Sequence, residues 1–357
     1  MTTSFLKGNS MKWFDEILQD LIEKFGEEKV TKNVDKLIND SLPEVAQLIY
    51  NSIKDSSKDM LDEYRLRRMS FESRLLLRWM KPINLLKTLQ VIALESGEEF
   101  YKEMNADVVS DEPDKIKALI SIHARACRIT DEILCLLKGG FPDAAFARWR
   151  TLHELSVLSF FISENDNELS QRYLDYSAID SYKEMEEYTS YQNTLGLEPL
   201  DEKTIEALKR EKNNLIKKYG EDYFSKYNNY GWAANILPKS KRNFKGIEER
   251  VGLDYLGPYY KLACNNIHSG AKGNFYNLGL IENDGSVLLC GSSNYGLADA
   301  GQNTAISLQQ ICTVLLTQKT KFEQLVIVKV IEKLSGEICE AFVEVQRQIE
   351  LEEKNAL

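Results

Sequence analysis

The stretch from Leu136 to Ile162 reads LLKGGFPDAAFARWRTLHELSVLSFFI, and its reading decides the fold. Gly139–Gly140 ends one helix, and Phe-Pro-Asp restarts another with Pro142 in its first turn, where a missing N–H costs nothing. A connection this short makes the two helices antiparallel neighbours. From Pro142 to Ile162 the apolar residues fall on every side: Ala144, Ala145, Phe146, Ala147, Trp149, Leu152, Leu155, Val157, Leu158, Phe160, Phe161 and Ile162. A helix apolar all round is central and buried. Yet this one carries Arg148, Arg150, His153 and Glu154. Desolvating a lone ion costs on the order of several kcal/mol, so buried charges need partners. Arg150 and Glu154, four apart, share a face, and His153 lies beside it.

The preceding segment, SDEPDKIKALISIHARACRITDEILCLLKGG (110–140), has Ser110 or Asp111 as cap, Pro113 in the first turn and an apolar stripe of Ile116, Leu119, Ile120, Cys127, Ile133, Leu134 and Leu137. Counting outward from the glycines at about 1.5 Å per residue on both arms puts Arg128 level with Arg150, and Arg125 level with Glu154. Glu154 is therefore expected between two or three guanidinium groups, with His123 one turn further along. Such a cluster is either a structural ion network stitching two core helices or a binding or catalytic site. The planar fork of arginine, which grips carboxylate or phosphate with two parallel bonds, suits either.

Residues 11–58 read as short amphipathic helices. WFDEILQDLIEKF (13–25) repeats Trp13, Ile17, Leu21 and Phe25, and Ser41 with Pro43 starts another helix. KDSSKD (54–59) reads as a linker or solvated turn, and 60–104 as helix broken near Pro82. Beyond the central pair comes a Tyr-rich helix over 168–192 and a charged one over 201–220. Leu278–Ile281, a turn at Asn283–Asp284–Gly285 and Val287–Cys290 read as a hairpin. Helices over about 303–318 and 321–353 close the chain. The expected architecture is all-α, a multi-helix bundle with one small β-hairpin near 278–290. It divides into an N-terminal helical region, 1–105, for packing, oligomerisation or partner binding, and a core helical domain, 106–357.

Of 357 residues, 43% are hydrophobic and 28% charged, as in ordinary globular proteins, and only 7 are proline, which favours helix. The net charge of −10 argues against nonspecific binding to nucleic acid or anionic membrane, while leaving room for a local basic cleft. The 6 cysteines form no C-x-x-C pair. That pattern points away from a disulfide framework and toward a reducing, cytoplasmic setting. The N-terminus lacks the apolar run of a signal peptide, and no segment is apolar enough to span a membrane. With 3 scattered histidines there is no metal-ligand spacing, and no cofactor motif appears: no Walker loop, no G-x-S-x-G.

A second candidate is LACNNIHSGAKGNF (262–275), with Asn265, His268 and Lys272 among small residues that let a ligand approach. Read blandly, it is a helix C-terminus with His268 near the negative end of the dipole. The 17 tyrosines concentrate between Tyr173 and Tyr276. Arg172 and Tyr176 share a face, as core-edge residues or as part of a stacking surface for bases.

LLKGGFPDAAFARWRTLHELSVLSFFI, then RYLDY, then LACNNIHSG, together resemble a family of uncharacterised bacterial helical proteins, over roughly 110–275. The shared motifs are Gly-x4-Ala (Gly140, Ala145), Arg-[Ser/Thr]-Leu-x-Glu (Arg150 to Glu154), Arg-Tyr (Arg172–Tyr173) and Asn-x-x-His (Asn265, His268). The resemblance implies a fold and no reaction. A looser resemblance is to HEPN-type ribonucleases of toxin and antiphage defence systems, whose R-x(4–6)-H motif is matched by Arg148 and His153. Five residues along a straight helix leave those two side chains about 140° apart, so Arg150 and His268 converging across the fold is the alternative pairing.

Two functions follow. One is a non-catalytic binding or regulatory module for RNA or a small anionic ligand, with helices available for a homodimer. The other is a metal-independent ribonuclease. There His268 or His153 moves the proton, Arg150 offsets developing charge and Glu154 orients the arginine, while Arg125, Arg128, Arg148, Arg172, Tyr176, Asn265 and Lys272 bind substrate.

Overall fold

The computed structural model describes residues 34–106, 111–268, 270–282, 287–319 and 321–356, with four isolated positions before Val34. Ten α-helices follow one another through the described residues. They are α1 (Val34–Ala106), α2 (Pro113–Lys138), α3 (Pro142–Ser163), α4 (Asn167–Leu195), α5 (Glu202–Tyr219), α6 (Phe244–Arg250), α7 (Gly257–Asn265), α8 (Ala271–Phe275), α9 (Leu297–Leu316) and α10 (Phe322–Ala356). Among the described residues there is no strand. No helix of these residues is long and apolar enough to cross a membrane.

The chain separates into two units, Met1–Phe71 and Glu72–Leu357, with the division inside α1. In the first unit the expected helix over 13–25 lies almost wholly outside the described residues. From Val34 onward the short helices expected there are one continuous helix. The 54–59 stretch is helical too, and its hydroxyls are absorbed by the helix: Ser56 Oγ donates to the Ser52 carbonyl at 2.7 Å and Ser57 Oγ to that of Lys54 at 2.7 Å.

In the second unit, Pro82 does not break α1. Leu75, Trp79, Ile83 and Leu86, all on one stripe across the proline, are fully buried. Each such side chain contributes about 1.5–3 kcal/mol on burial, which together outweighs the roughly 3 kcal/mol an interior proline costs. Trp79 also donates its indole N–H to the Asn294 carbonyl at 3.1 Å and lies 5.9 Å from the Phe342 ring of α10.

The turn between α2 and α3 is closed by Gly140 at φ +73°, a conformation open to glycine at no steric cost. Phe141 N donates back to the Leu136 carbonyl at 2.9 Å. The start of α2 is capped from outside: Asn167 Oδ1 accepts from the backbone N–H of Asp114 (2.9 Å) and Lys115 (3.1 Å). Helix α3 is central, packed along α2 and α9 and touching α6 and α7, while α9 packs against α10. Phe146, Trp149, Leu152, Phe161 and Ile162 are all fully buried. Trp149 donates to Ser307 Oγ (3.0 Å), and Ser156 donates to Gln310 Oε1 (2.8 Å), both partners on α9.

The hairpin expected near 278–290 is absent: Leu278–Ile281 and Val287–Cys290 carry no strand, and its turn at 283–285 lies outside the described residues. The backbone groups a ladder would need are engaged elsewhere. Leu278 N donates to Asp143 Oδ1 (2.9 Å), Ser293 Oγ donates to the Gly279 carbonyl (2.7 Å) and Ser293 N donates to that of Gly140 (2.8 Å). Val287 and Leu288 are exposed, so no buried face rewards pairing. The segment is a strap across the start of α3.

His123 is buried on α2 between two thiols, Cys312 Sγ at 3.5 Å from Nε2 and Cys127 Sγ at 3.8 Å from Nδ1. Burial lowers its pKa to about 4. The unfolded chain therefore takes up a proton near pH 6.5 that the folded chain refuses until about pH 4. Stability is expected to hold above pH 6.5 and to fall by about 3 kcal/mol between there and pH 4. Urea unfolding across that range should show the loss, and His123→Gln should reduce it. Two glycines should respond with opposite signs. A Cβ at Gly301 would lie 2.3 Å from the buried Phe342 ring, so Gly301→Ala should cost about 1–3 kcal/mol. Gly336 on α10 has nothing within 4 Å, so Gly336→Ala should add about 0.5–1 kcal/mol, read in the same melts.

Candidate functional site

Along one side of α3 the ionisable groups are met by α6 and α7. Arg150 Nη2 lies 2.9 Å from Glu154 Oε1, and the Tyr260 hydroxyl of α7 donates to that same oxygen. The Arg150 guanidinium also sits over the Tyr260 ring, 5.1 Å from its centroid. Burial works against the charge on Arg150, but the Tyr260 phenol and the Glu154 carboxylate outweigh it and hold the guanidinium above its ordinary pKa. Burial and the neighbouring Glu154 push the Tyr260 phenol up, keeping it a donor. Cys264, one turn beyond Tyr260, adjoins Arg150 and is likewise raised by burial. Side-chain exposures of 28% and 34% for Arg150 and Glu154 make this a half-buried network.

Beneath it lies a fully buried pair. His153 Nε2 donates to Glu248 Oε1 of α6 at 2.8 Å, with side chains 0% and 6% exposed. A carboxylate only accepts, so the hydrogen sits on Nε2 and Nδ1 is left as a lone pair. Burial lowers the pKa of His153 despite Glu248, so the ring is neutral. It is packed by Trp149 (5.4 Å between centroids), Tyr260 (5.7 Å) and Phe244 (5.9 Å). Arg150 Nε and His153 Nδ1 are both buried without a hydrogen-bond partner among the described residues.

Next to this network opens a cavity of about 820 Å³, in the range of small-ligand sites. Lys117, Ser121 and Arg125 of α2 form one side, and Thr151, Glu154 and Leu158 of α3 the floor. Tyr173, Tyr176 and Asp180 of α4 stand opposite, joined by Tyr230, Trp232, Phe244 and Ile247. Tyr173 and Trp232 meet edge-on at 5.2 Å, and Tyr230 lies 6.4 Å from Trp232. Burial and the carboxylate of Glu154 raise the Tyr230 phenol to about 12.

The residues expected to converge separate into several places. Arg150, Glu154 and His153 adjoin as their spacing implies. Arg125 reaches the cavity that Glu154 floors. Arg128 points away: its side chain is 70% exposed and it lies 3.8 Å from Glu132 on its own helix. Arg148 pairs with that same Glu132, on the α2 side, whereas His153 faces α6, so the two R-x(4–6)-H residues lie on different sides of α3. Arg172 is buried beneath Tyr219 (4.7 Å) and Tyr223 (5.3 Å) and donates Nε–H to the Trp232 carbonyl at 3.0 Å, a structural knot. Tyr176 lines the cavity with its ring while its hydroxyl donates to the Asn228 carbonyl at 3.0 Å. His268 is exposed, held by its backbone N–H to the Cys264 carbonyl (3.1 Å), and Lys272 sits over the Tyr276 ring at 5.5 Å. Asn265 ends α7, its carbonyl so close to Gly273 that a Cβ there would lie 2.2 Å from it.

Sequence reasoning missed Glu248, Tyr260 and Tyr230. Tyr260 and Cys264 stand four apart on α7 and share a face, which is a usable signal; Glu248 in FKGIEER resembles its solvent-facing neighbour Glu249. Among the described residues no group of three His, Cys, Asp or Glu is arranged to hold a metal ion.

Residues 116–286 match the model of DUF5677, a family of unknown function. No curated protein and no solved structure matches the chain.

Removing one partner of the buried pair should show what it contributes. His153→Phe strands the Glu248 carboxylate and should destabilise by about 3 kcal/mol. Glu248→Gln keeps an acceptor for Nε2–H and should cost about 1 kcal/mol. Chemical denaturation of the two variants reads the difference, and equal losses would mean that packing, not charge, dominates.

Proposed function

We propose that this chain is a helical binding module that takes a small organic ligand in the cavity between α2, α3 and α4. One observation carries the reading: the cavity joins an aromatic wall of Tyr173, Trp232 and Tyr230 to a polar floor anchored by the Arg150–Glu154–Tyr260 network. A few fixed polar groups among apolar walls are the usual makeup of a ligand site. The network orients Glu154 and fixes the shape of the floor; it consumes the charge of Arg150 and so leaves little of it for a phosphodiester.

The ribonuclease reading is weaker on the same geometry. His153 is walled in by Trp149, Phe244 and Tyr260, and a general base must reach its substrate within hydrogen-bond distance. Arg148 points to Glu132, away from that histidine. His268 is exposed, and no carboxylate pairs with it among the described residues. A regulatory role follows naturally if the occupied cavity draws α2 and α4 together, since a ligand shifts an equilibrium by its differential affinity for two states.

Native mass spectrometry of the purified full-length protein, followed by denaturing release, tests the binding reading. A small molecule released from the wild type, and reduced about tenfold in occupancy by Trp232→Ala or Tyr230→Ala, is the expected result. Should neither a released molecule nor any hit from a fragment screen shift NMR signals of residues lining the cavity, the binding reading fails. Specific cleavage of RNA that is lost in His268→Ala would replace it with the enzyme.

A further inference from the structure

Resting on that binding reading, we infer that the ligand is a planar aromatic anion of about mononucleotide size, its ring held on the tyrosine–tryptophan wall and its anionic group on Lys117 and Arg125. These two cations stand at i and i+8 on α2 with Ser121 between them, so all three present one face to the cavity. Among the described residues neither cation has an ion-pair partner. That is notable in a protein of net charge −10, where 55 acidic side chains compete for 45 basic ones. Of the acids lining the cavity, Glu154 is bound by Arg150 and Tyr260, while Asp180, raised by burial, feels the charge of Lys183 without an ion pair to it among the described residues. Two unpaired cations of α2 against the one unpaired carboxylate of Asp180 leave the cavity net positive, with the positive charge on α2.

The rest of the lining supplies aromatic area. Tyr173, Trp232 and Tyr230 form a contiguous run of edge-on and tilted rings against which a planar ring can pack. Arg125 acts electrostatically on the Tyr173 phenol, so the cationic face and the aromatic wall meet at this pair. Tyr173 and Tyr230 keep hydroxyls without a protein hydrogen bond among the described residues, ready for the polar edge of a heterocycle. A cavity of about 820 Å³ fits one such molecule.

Isothermal titration of the full-length protein with the four ribonucleoside monophosphates, the matching nucleosides, inorganic phosphate, a set of aromatic carboxylates and a short single-stranded RNA tests the assignment. The expected result is that one or more aromatic anions bind at least about tenfold tighter than their uncharged counterparts. Arg125→Ala and Lys117→Ala, both exposed and so compatible with folding, should each erase that advantage while leaving binding of the uncharged ring unchanged. Tyr230→Leu should weaken charged and uncharged rings alike. Phosphate against carboxylate in the panel tells which anion the cations take. The inference is overturned if charged and uncharged rings bind equally, if phosphate alone binds as tightly as the aromatic anions, if the RNA binds about tenfold tighter than any mononucleotide, or if nothing in the panel binds. A released occupant that is not an aromatic anion would overturn this inference and leave the binding module standing.

Discussion

The structure turns on the burial of α3. A helix apolar around its whole circumference has no face to offer water, so α2, α9, α6 and α7 must surround it. Once it is surrounded, the ionisable groups it carries cannot be left to solvent either. Each is met by a partner whose position is then dictated by α3: Glu132 for Arg148, Tyr260 for the Arg150–Glu154 pair, Glu248 for His153. The short α6 and α7, which on their own would be marginal helices, owe their placement to these contacts and to the rings of Phe244 and Tyr260 stacked at 4.6 Å.

The same constraint separates structure from site. Charges that face the core of the second unit are hydrogen-bonded in place, as with Glu248 on His153, or packed among rings, as with Arg172. Charges on the outer face of α2, Lys117 and Arg125, are not. A polar residue that has spent its hydrogen bonds internally holds the fold, and one that has not is available to something else. In this chain the boundary between the two runs along the cavity, with Glu154 on the structural side and Arg125 on the open side.

The central hairpin of helices was legible because its signals are local and redundant: two glycines at a helix end, a proline in the next first turn, and an unbroken apolar run. Arg150 and Glu154 could be paired from their spacing alone. Arg128 could not be placed, because level along two antiparallel helices says nothing of which way a side chain points around each axis, and Glu132 was available one turn away. The hairpin expected near 278–290 rested on two short apolar runs around an Asn-Asp-Gly turn signal. It failed because Asp143 and Ser293 claimed the backbone groups first, a competition decided by neighbours distant in the chain. Pro82 is the converse case, where buried residues on both sides overrode a local breaker.

What the amino-acid order determined by itself is the helical class, the antiparallel α2–α3 pair and the requirement that the charges inside it be satisfied. These depend on periodicity, capping and desolvation, which act over a few residues. Which groups satisfy those charges, and where a cavity is left between α2 and α4, was decided only by tertiary packing. Tyr260 and Glu248 lie about a hundred positions from the groups they bind, and no local rule can bring them there.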